Sequence, residues 1–155
     1  MRKITLLCVG NLKEKYLKDA FSEYQKRISK FFDFNVIEIA EVKLNKNNEA
    51  EIQSVIEKES LKLLEKVKGQ KVIVLDVNGE SVTSPQFAKL IEAESNFNEL
   101  LFIIGGSYGF NEKIKKLGKN ISFSKMTFPH QLMRVIFSEQ LYRAGTILNN
   151  IEYHK

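Results

Sequence analysis

Apolar residues follow two rhythms along this chain. Ile4 to Val9 is an apolar run, as expected of a strand covered on both faces. Leu17, Phe21, Tyr24, Ile28 and Phe31 then recur at steps of four and three, one stripe of an amphipathic helix. Val36 to Ile39 is a short second strand. Ile52, Val55, Ile56, Leu63 and Val67 form a second helical stripe, with Gly69 as its stop. Val72 to Val77 is a third strand, ended by the turn pair Asn78-Gly79. Ser84-Pro85 predicts an N-cap with proline in the first turn of a third helix through Phe87, Leu90 and Ile91. Leu100 to Ile104 is a fourth strand running straight into Gly105-Gly106-Ser107-Tyr108-Gly109. A lysine-rich helical turn, a short strand at Ile121-Ser122-Phe123 and a long helix from about Pro129 complete the chain.

Strands alternating with helices predict an α/β fold with a mainly parallel sheet. No repeat, low-complexity tract or proline-rich linker interrupts the pattern, so residues 1–155 read as one domain. The last helix departs from the amphipathic rule. Leu132, Met133, Val135, Ile136, Phe137 and Leu141 spread around most of its circumference, where a one-sided helix would show a single stripe. Its own sheet on one side and a second subunit on the other would cover such a helix, which predicts a two-fold homodimer.

Composition changes the picture at one point. The 43% hydrophobic and 28% charged residues are ordinary for a globular protein, and no apolar stretch approaches the roughly 18 residues of a membrane helix. The start, Met1-Arg2-Lys3, leads directly into the first strand, and the expected location is the cytoplasm. Cys8, the one cysteine, reads as a buried core thiol. The net charge of +5, however, is unevenly spread. Residues 1–30 hold eight Lys/Arg against three Asp/Glu, residues 31–110 eight against thirteen, and residues 111–155 eight against three. Two basic ends around an acidic middle point to a polyanionic partner reached through both ends.

In open α/β sheets ligands bind beyond the carboxyl ends of strands. Those ends are Leu75 to Gly79, Ile104 to Gly109 and Phe123 to Phe128. The G-G-x-x-G spacing at 105–109 lets backbone approach a ligand closely, but it is neither a dinucleotide fingerprint nor a P-loop. Two histidines and one cysteine, far apart, give no zinc spacing, so no metal is expected. His130, at a helix start, reads as a packed or solvated residue. Glu139 and Arg143 stand i, i+4 and could be a simple surface ion pair. Lys113, Lys115, Lys116 and Lys119 read either as a solvated face or as a phosphate-contacting patch. The tail Tyr153-His154-Lys155 has two readings. Termini are usually disordered, yet an aromatic, an imidazole and a cation together suit stacking on a base and contacting its phosphate.

The segments Ile104 to Phe110, Phe123 to Gln131, Arg134-Val135, Glu139 to Ala144 and Tyr153-His154-Lys155 closely resemble the large-subunit ribosomal RNA methyltransferase H family (RlmH) of the SPOUT class. Val9 to Tyr16 is similar to that family's opening, so the likeness spans the chain in order. The resemblance implies an α/β domain with a C-terminal trefoil knot, an exception to the rule that chains do not thread loops. It implies S-adenosylmethionine as methyl donor and, as substrate, N3 of a pseudouridine in 23S rRNA of assembled ribosomes. Its partners would be a second copy of the chain and the ribosome, with no membrane and no DNA. Carried over by motif, the cofactor positions fall on Leu75, Gly105, Phe123, Ser124, Lys125, Met126, Thr127 and Phe128. The candidate catalytic residues are Arg134, Glu139, Arg143, Tyr153 and His154, with His154 foremost for handling a proton or contacting the base. The resemblance also implies a composite site, one subunit holding the donor and the other subunit's tail holding the base. The chain departs from the family before the tail, where Asn149-Asn150-Ile151 and Glu152 stand in place of the Gly or Pro of many members. Two other readings stay open: a SPOUT methyltransferase acting on tRNA, and a ribosome-binding factor without catalysis.

Overall fold

A computed structural model describes residues 1–155. The elements run β1 (Arg2–Val9), α1 (Lys15–Ile28), β2 (Phe32–Ile39), α2 (Glu49–Glu65), β3 (Lys71–Ser81), α3 (Ser84–Ala93), β4 (Glu99–Ile104), α4 (Glu112–Lys115), β5 (Lys119–Ser122) and α5 (His130–Leu148). The five strands form one sheet in the order β2-β1-β4-β3-β5, and every neighbouring pair is parallel. The expected α/β class with a parallel sheet is therefore what forms.

Successive strand residues point to opposite faces, and both faces are covered. Ile4, Leu6 and Cys8 of β1, Leu100 and Phe102 of β4 and Ile73 and Leu75 of β3 pack with α1, α3 and α5. Leu7, Val9, Leu101, Ile103, Val72 and Val74 face the other way, against Leu63 of α2 and Ile114 of α4. Two-sided burial is why the strands read as continuous apolar runs. Cys8 is buried as expected, and that burial pushes its thiol pKa up to about 12, which leaves it inert as a nucleophile.

Six local readings need correction. The first helix stops at Ile28 rather than reaching Phe31, and β2 begins at Phe32 rather than Val36. Phe32, Phe34 and Val36 alternate with Asp33 and Asn35, and this period of two puts the apolar members against the core. Asn78-Gly79 is not a turn, because β3 continues to Ser81 and resumes pairing with β5 after a register shift between Leu75 and Glu80. Gly79 serves close approach instead, since a Cβ there would lie 2.7 Å from the backbone of Asn120. The cap of α3 is Thr83, one residue before Ser84, in a reciprocal capping box with Gln86. Gly69, at φ 88°, lies beyond the end of α2 at Glu65 rather than closing it. The expected strand at 121–123 is Lys119–Ser122.

The long helix α5 packs on the core through Phe137, Leu141 and Ala144. Leu132 is exposed, and Met133, Val135 and Ile136 are only partly buried, so one chain leaves part of its apolar surface open.

Candidate active site

The carboxyl ends of β3 and β4, the segment after β5 and the start of α5 surround an open cavity of about 1000 Å³. That is the upper end of the range for small-molecule sites. Leu75 and Asp76 come from β3, Ile104 and Gly105 from the end of β4, and Thr127 to Met133 from the run into α5. A smaller recess of about 90 Å³ shares Leu75, Ile104, Thr127, Phe128 and Met133 and adds Phe123, Ser124 and Met126. Of the eight residues expected to hold a cofactor, seven line one or both spaces, while Lys125 lines neither.

The glycines shape one wall. The Gly109 N–H donates to the Gly106 carbonyl at 3.1 Å, and Gly109 adopts φ 81°, a conformation costly for other residues. The resulting tight turn carries Ser107 and Tyr108 at its tip. Gly105 is packed from behind, because a Cβ there would meet Phe110 at 2.7 Å. The opposite wall is fixed by Ser122 and Ser124. The Ser122 hydroxyl donates to the Ser124 carbonyl at 2.8 Å, and the Ser124 hydroxyl accepts the Met126 N–H at 3.0 Å. An apolar bed of Leu75, Ile104, Phe128 and Met133 beside turning backbone has the size and chemistry to take a purine nucleoside. No cluster of three or more His, Cys, Asp or Glu side chains is placed to hold a metal ion.

His130, read from sequence as packed or solvated, lines this cavity. Its Nδ1 stands 3.4 Å from the Ser107 hydroxyl, and its Nε2 is buried with no partner. Burial lowers its pKa below the usual 6.5, the nearby Glu41 opposes this, and Arg134 and Lys13 reinforce it. The imidazole is thus neutral at pH 7. Its position directly after Pro129, inside the Phe123 to Gln131 segment, was the signal available in the sequence. Gln131 adds a tie, its side-chain oxygen accepting the Lys13 N–H at 3.1 Å and holding the loop after β1 against α5.

The five candidate catalytic residues divide into two groups. Arg134 stands alone, 1% exposed. Its Nη1 meets Glu38 Oε2 at 2.5 Å, and its Nη2 donates to the Gly10 carbonyl at 2.8 Å. The guanidinium thus clamps α5 to the ends of β1 and β2, and it does not line the cavity. The other four form one cluster farther along α5. Arg143 donates through Nε to Glu139 Oε1 at 3.0 Å, and the Tyr153 hydroxyl donates to the same oxygen at 3.2 Å. The Tyr153 ring lies 4.7 Å from the Arg143 guanidinium carbon and packs edge-on to Tyr142 with centroids 4.8 Å apart. Arg143 Nη1 approaches His154 Nδ1 at 3.2 Å. The Glu139 hydrogen bond raises the pKa of Arg143, while burial, followed by Glu139, raises that of Tyr153, so the phenol keeps its proton at neutral pH.

The tail therefore docks on α5. It turns back through Asn150, which adopts φ 55°, and the Ile151 N–H donates to the Thr146 carbonyl at 2.9 Å. Within one chain this cluster does not reach the cavity. Met133 is the last α5 residue lining the cavity, and Glu139 lies about 9 Å farther along the axis at 1.5 Å per residue.

The family model described as "Predicted SPOUT methyltransferase" matches residues 2–154. The chain belongs to the SPOUT methyltransferase family. Among curated SPOUT relatives, one from Caldicellulosiruptor saccharolyticus named "Ribosomal RNA large subunit methyltransferase H" is 45% identical, covering 98% of this chain and 99% of the relative. One of the same name from Streptococcus uberis is 44% identical over 99% of both chains. A solved structure of a probable methylase family protein from Haemophilus influenzae superposes with TM-score 0.56 over 99% of this chain and 71% of its own, at 10% identity, a likeness of fold alone.

Proposed function

We propose that this protein methylates N3 of a pseudouridine in 23S rRNA of assembled ribosomes, in the cytoplasm, using S-adenosylmethionine. The observation that carries the reading is a family match over the full chain, coupled to a cavity of the right size at the carboxyl ends of β3 and β4. Bound S-adenosylmethionine supplies a methyl group on a sulfonium, open to in-line attack. Leu75, Ile104, Phe128 and Met133 would hold its apolar part, and the turns at Gly105 and Phe123 to Phe128 would offer it backbone polar groups.

The target nitrogen must give its proton to water, a fixed cation stabilises the anion that results, and the donor leaves as S-adenosylhomocysteine once its methyl group has passed to N3. Arg143 fits this task. Glu139 holds it, the Tyr153 ring flanks it, and it always donates, so His154 Nδ1 accepts and the imidazole proton sits on Nε2. His154 Nε2–H is then a donor left available to an incoming base. Arg143 and His154 together hold negative charge on the pyrimidine, and Tyr153 and Tyr142 bank the pair in place. Arg134 acts behind the site as a positioning residue.

Because the cluster and the cavity lie apart in one chain, the working enzyme is a homodimer that brings one subunit's tail to the other's cavity. The partly open apolar surface of α5 at Leu132, Val135 and Ile136 suits that contact, and the expected trefoil knot would close the wall after β5. Mixing tests this arrangement. A Gly105→Val subunit has a cavity wall displaced by Phe110 and holds the donor weakly, and a subunit ending at Glu152 lacks a tail, so at limiting S-adenosylmethionine each homodimer should be nearly inactive. Their mixed dimer keeps one complete site, and co-refolding them should restore about one quarter of wild-type turnover. Failure of the mixture, with both variants folded and dimeric, would rule out the shared site.

A further inference from the structure

Two exposed tyrosines stand at the cavity mouth with no role in the chemistry above. Tyr16 lies in the first turn of α1 and is 69% exposed, although its neighbour Leu17 is buried. Tyr108 sits at the tip of the Gly106–Gly109 turn and is 42% exposed. Both line the cavity, from the first turn of α1 and the loop after β4, and neither belongs to either core cluster. Large aromatic surface left in water beside a ligand cavity suits a partner with flat faces.

Charge narrows that partner. Lys13 and Lys115 line the same mouth, one from each of the two basic parts of the chain, so the mouth is where those parts meet. Lys13 is 3.9 Å from Glu41 and the half-buried Lys115 is 3.5 Å from the exposed Glu112, in pairs open enough to exchange for phosphate. Glu14 and Asp76 also line the cavity, but Asp76 accepts the Asn78 N–H at 3.0 Å and braces its own strand end. Aromatic rings interleaved with lysines form the surface that binds single-stranded nucleic acid, bases on the rings and phosphates on the cations.

We infer that Tyr16 and Tyr108, with Lys13 and Lys115, form a stacking rim that grips single-stranded RNA flanking the target nucleotide. This rests on the reading of the protein as an rRNA methyltransferase. The rim gives the protein a second grip on its substrate, on the donor side and independent of the tail.

The test compares wild type with Tyr16→Ala/Tyr108→Ala, Tyr16→Phe/Tyr108→Phe and Lys13→Gln/Lys115→Gln. Methyl transfer to ribosomes is followed over a range of ribosome and salt concentrations, with S-adenosylmethionine affinity measured by calorimetry. The alanine pair should raise KM for ribosomes at least about fivefold per ring lost, the lower bound for base stacking. Its cofactor affinity should hold, and the phenylalanine pair, which keeps both rings, should retain wild-type KM. The lysine pair should flatten the slope of log KM against log salt by about 1.4, two phosphate contacts on a single strand. An alanine pair with KM within twofold of wild type overturns the rim. So does a matching loss of cofactor affinity, which would make the tyrosines part of the donor pocket. A wild-type protein that transfers no methyl group overturns the functional reading and the rim together.

Discussion

Arg134 is where the structure most sharply redirects an expectation drawn from sequence, and its replacement by methionine separates two roles. As a catalytic group, Arg134 would be lost with little effect on folding and a large effect on turnover. As a clamp, it would show the reverse. The guanidinium makes two short charge-assisted contacts, to Glu38 at 2.5 Å and to the Gly10 carbonyl at 2.8 Å, and a longer one to the Val9 carbonyl at 3.4 Å. Hydrogen bonds to charged groups contribute about 1.5–3 kcal/mol each. Glu38 is half-exposed and can rehydrate once its partner is gone, and the unpartnered Arg134 Nε is a buried cost that methionine removes. The net loss is then about 3 kcal/mol, at the low end for breaking a buried pair. For a chain of this size that lowers Tm by about 6–12 °C. Differential scanning calorimetry at fixed protein concentration measures the shift, and transfer to ribosomes well below Tm should stay within a few-fold of wild type. A variant with unchanged Tm and turnover reduced a hundredfold would refute the clamp and return Arg134 to the reacting groups.

Other positions carry sharp expectations of sign. Alanine usually stabilises a helix over glycine by about 1 kcal/mol, yet Gly145→Ala should destabilise by about 1–2 kcal/mol, because its Cβ would press on the Phe31 ring; a rise in the denaturant midpoint would contradict that packing. Gly105→Val should weaken S-adenosylmethionine binding at least tenfold by driving Phe110 and the glycine turn apart, and calorimetry showing unaltered affinity would remove Gly105 from the pocket. Burial lowers the folded-state pKa of His130, so its contribution is complete above the unfolded value of 6.5 and is lost as pH falls below it. The fall in Tm between pH 7.5 and 5.5 should therefore be smaller in His130→Asn than in wild type, and an equal fall would show that His130 is not held neutral.

The sheet and the strand ends that border the cavity were legible because both follow from strong, local signals. Runs such as Leu100 to Ile104 can be nothing but doubly covered strands in a chain of this pattern, and ligands in parallel sheets gather at strand ends. The misreadings arose where tertiary contact decides the use of a residue. Gly79 looks like half of a turn pair until β5 lies against it. Glu139 and Arg143 looked like a surface ion pair, and the pair is real, but only the returning tail shows that it anchors Tyr153 and His154. The placements of Arg134, buried outside the cavity, and His130, lining it, were not legible for one reason. Helical spacing places both on α5 but does not say which one the strand ends will bury and which the cavity will receive.

The central claim is methyl transfer to large-subunit rRNA, and labelled S-adenosylmethionine tests it directly. Ribosomes from a strain lacking this protein would be the substrate, with separated subunits and bulk tRNA in parallel and the modified nucleoside identified by mass spectrometry. The expected result is label in 23S rRNA as 3-methylpseudouridine. Label confined to tRNA, or none in any RNA while the cofactor binds, would contradict it.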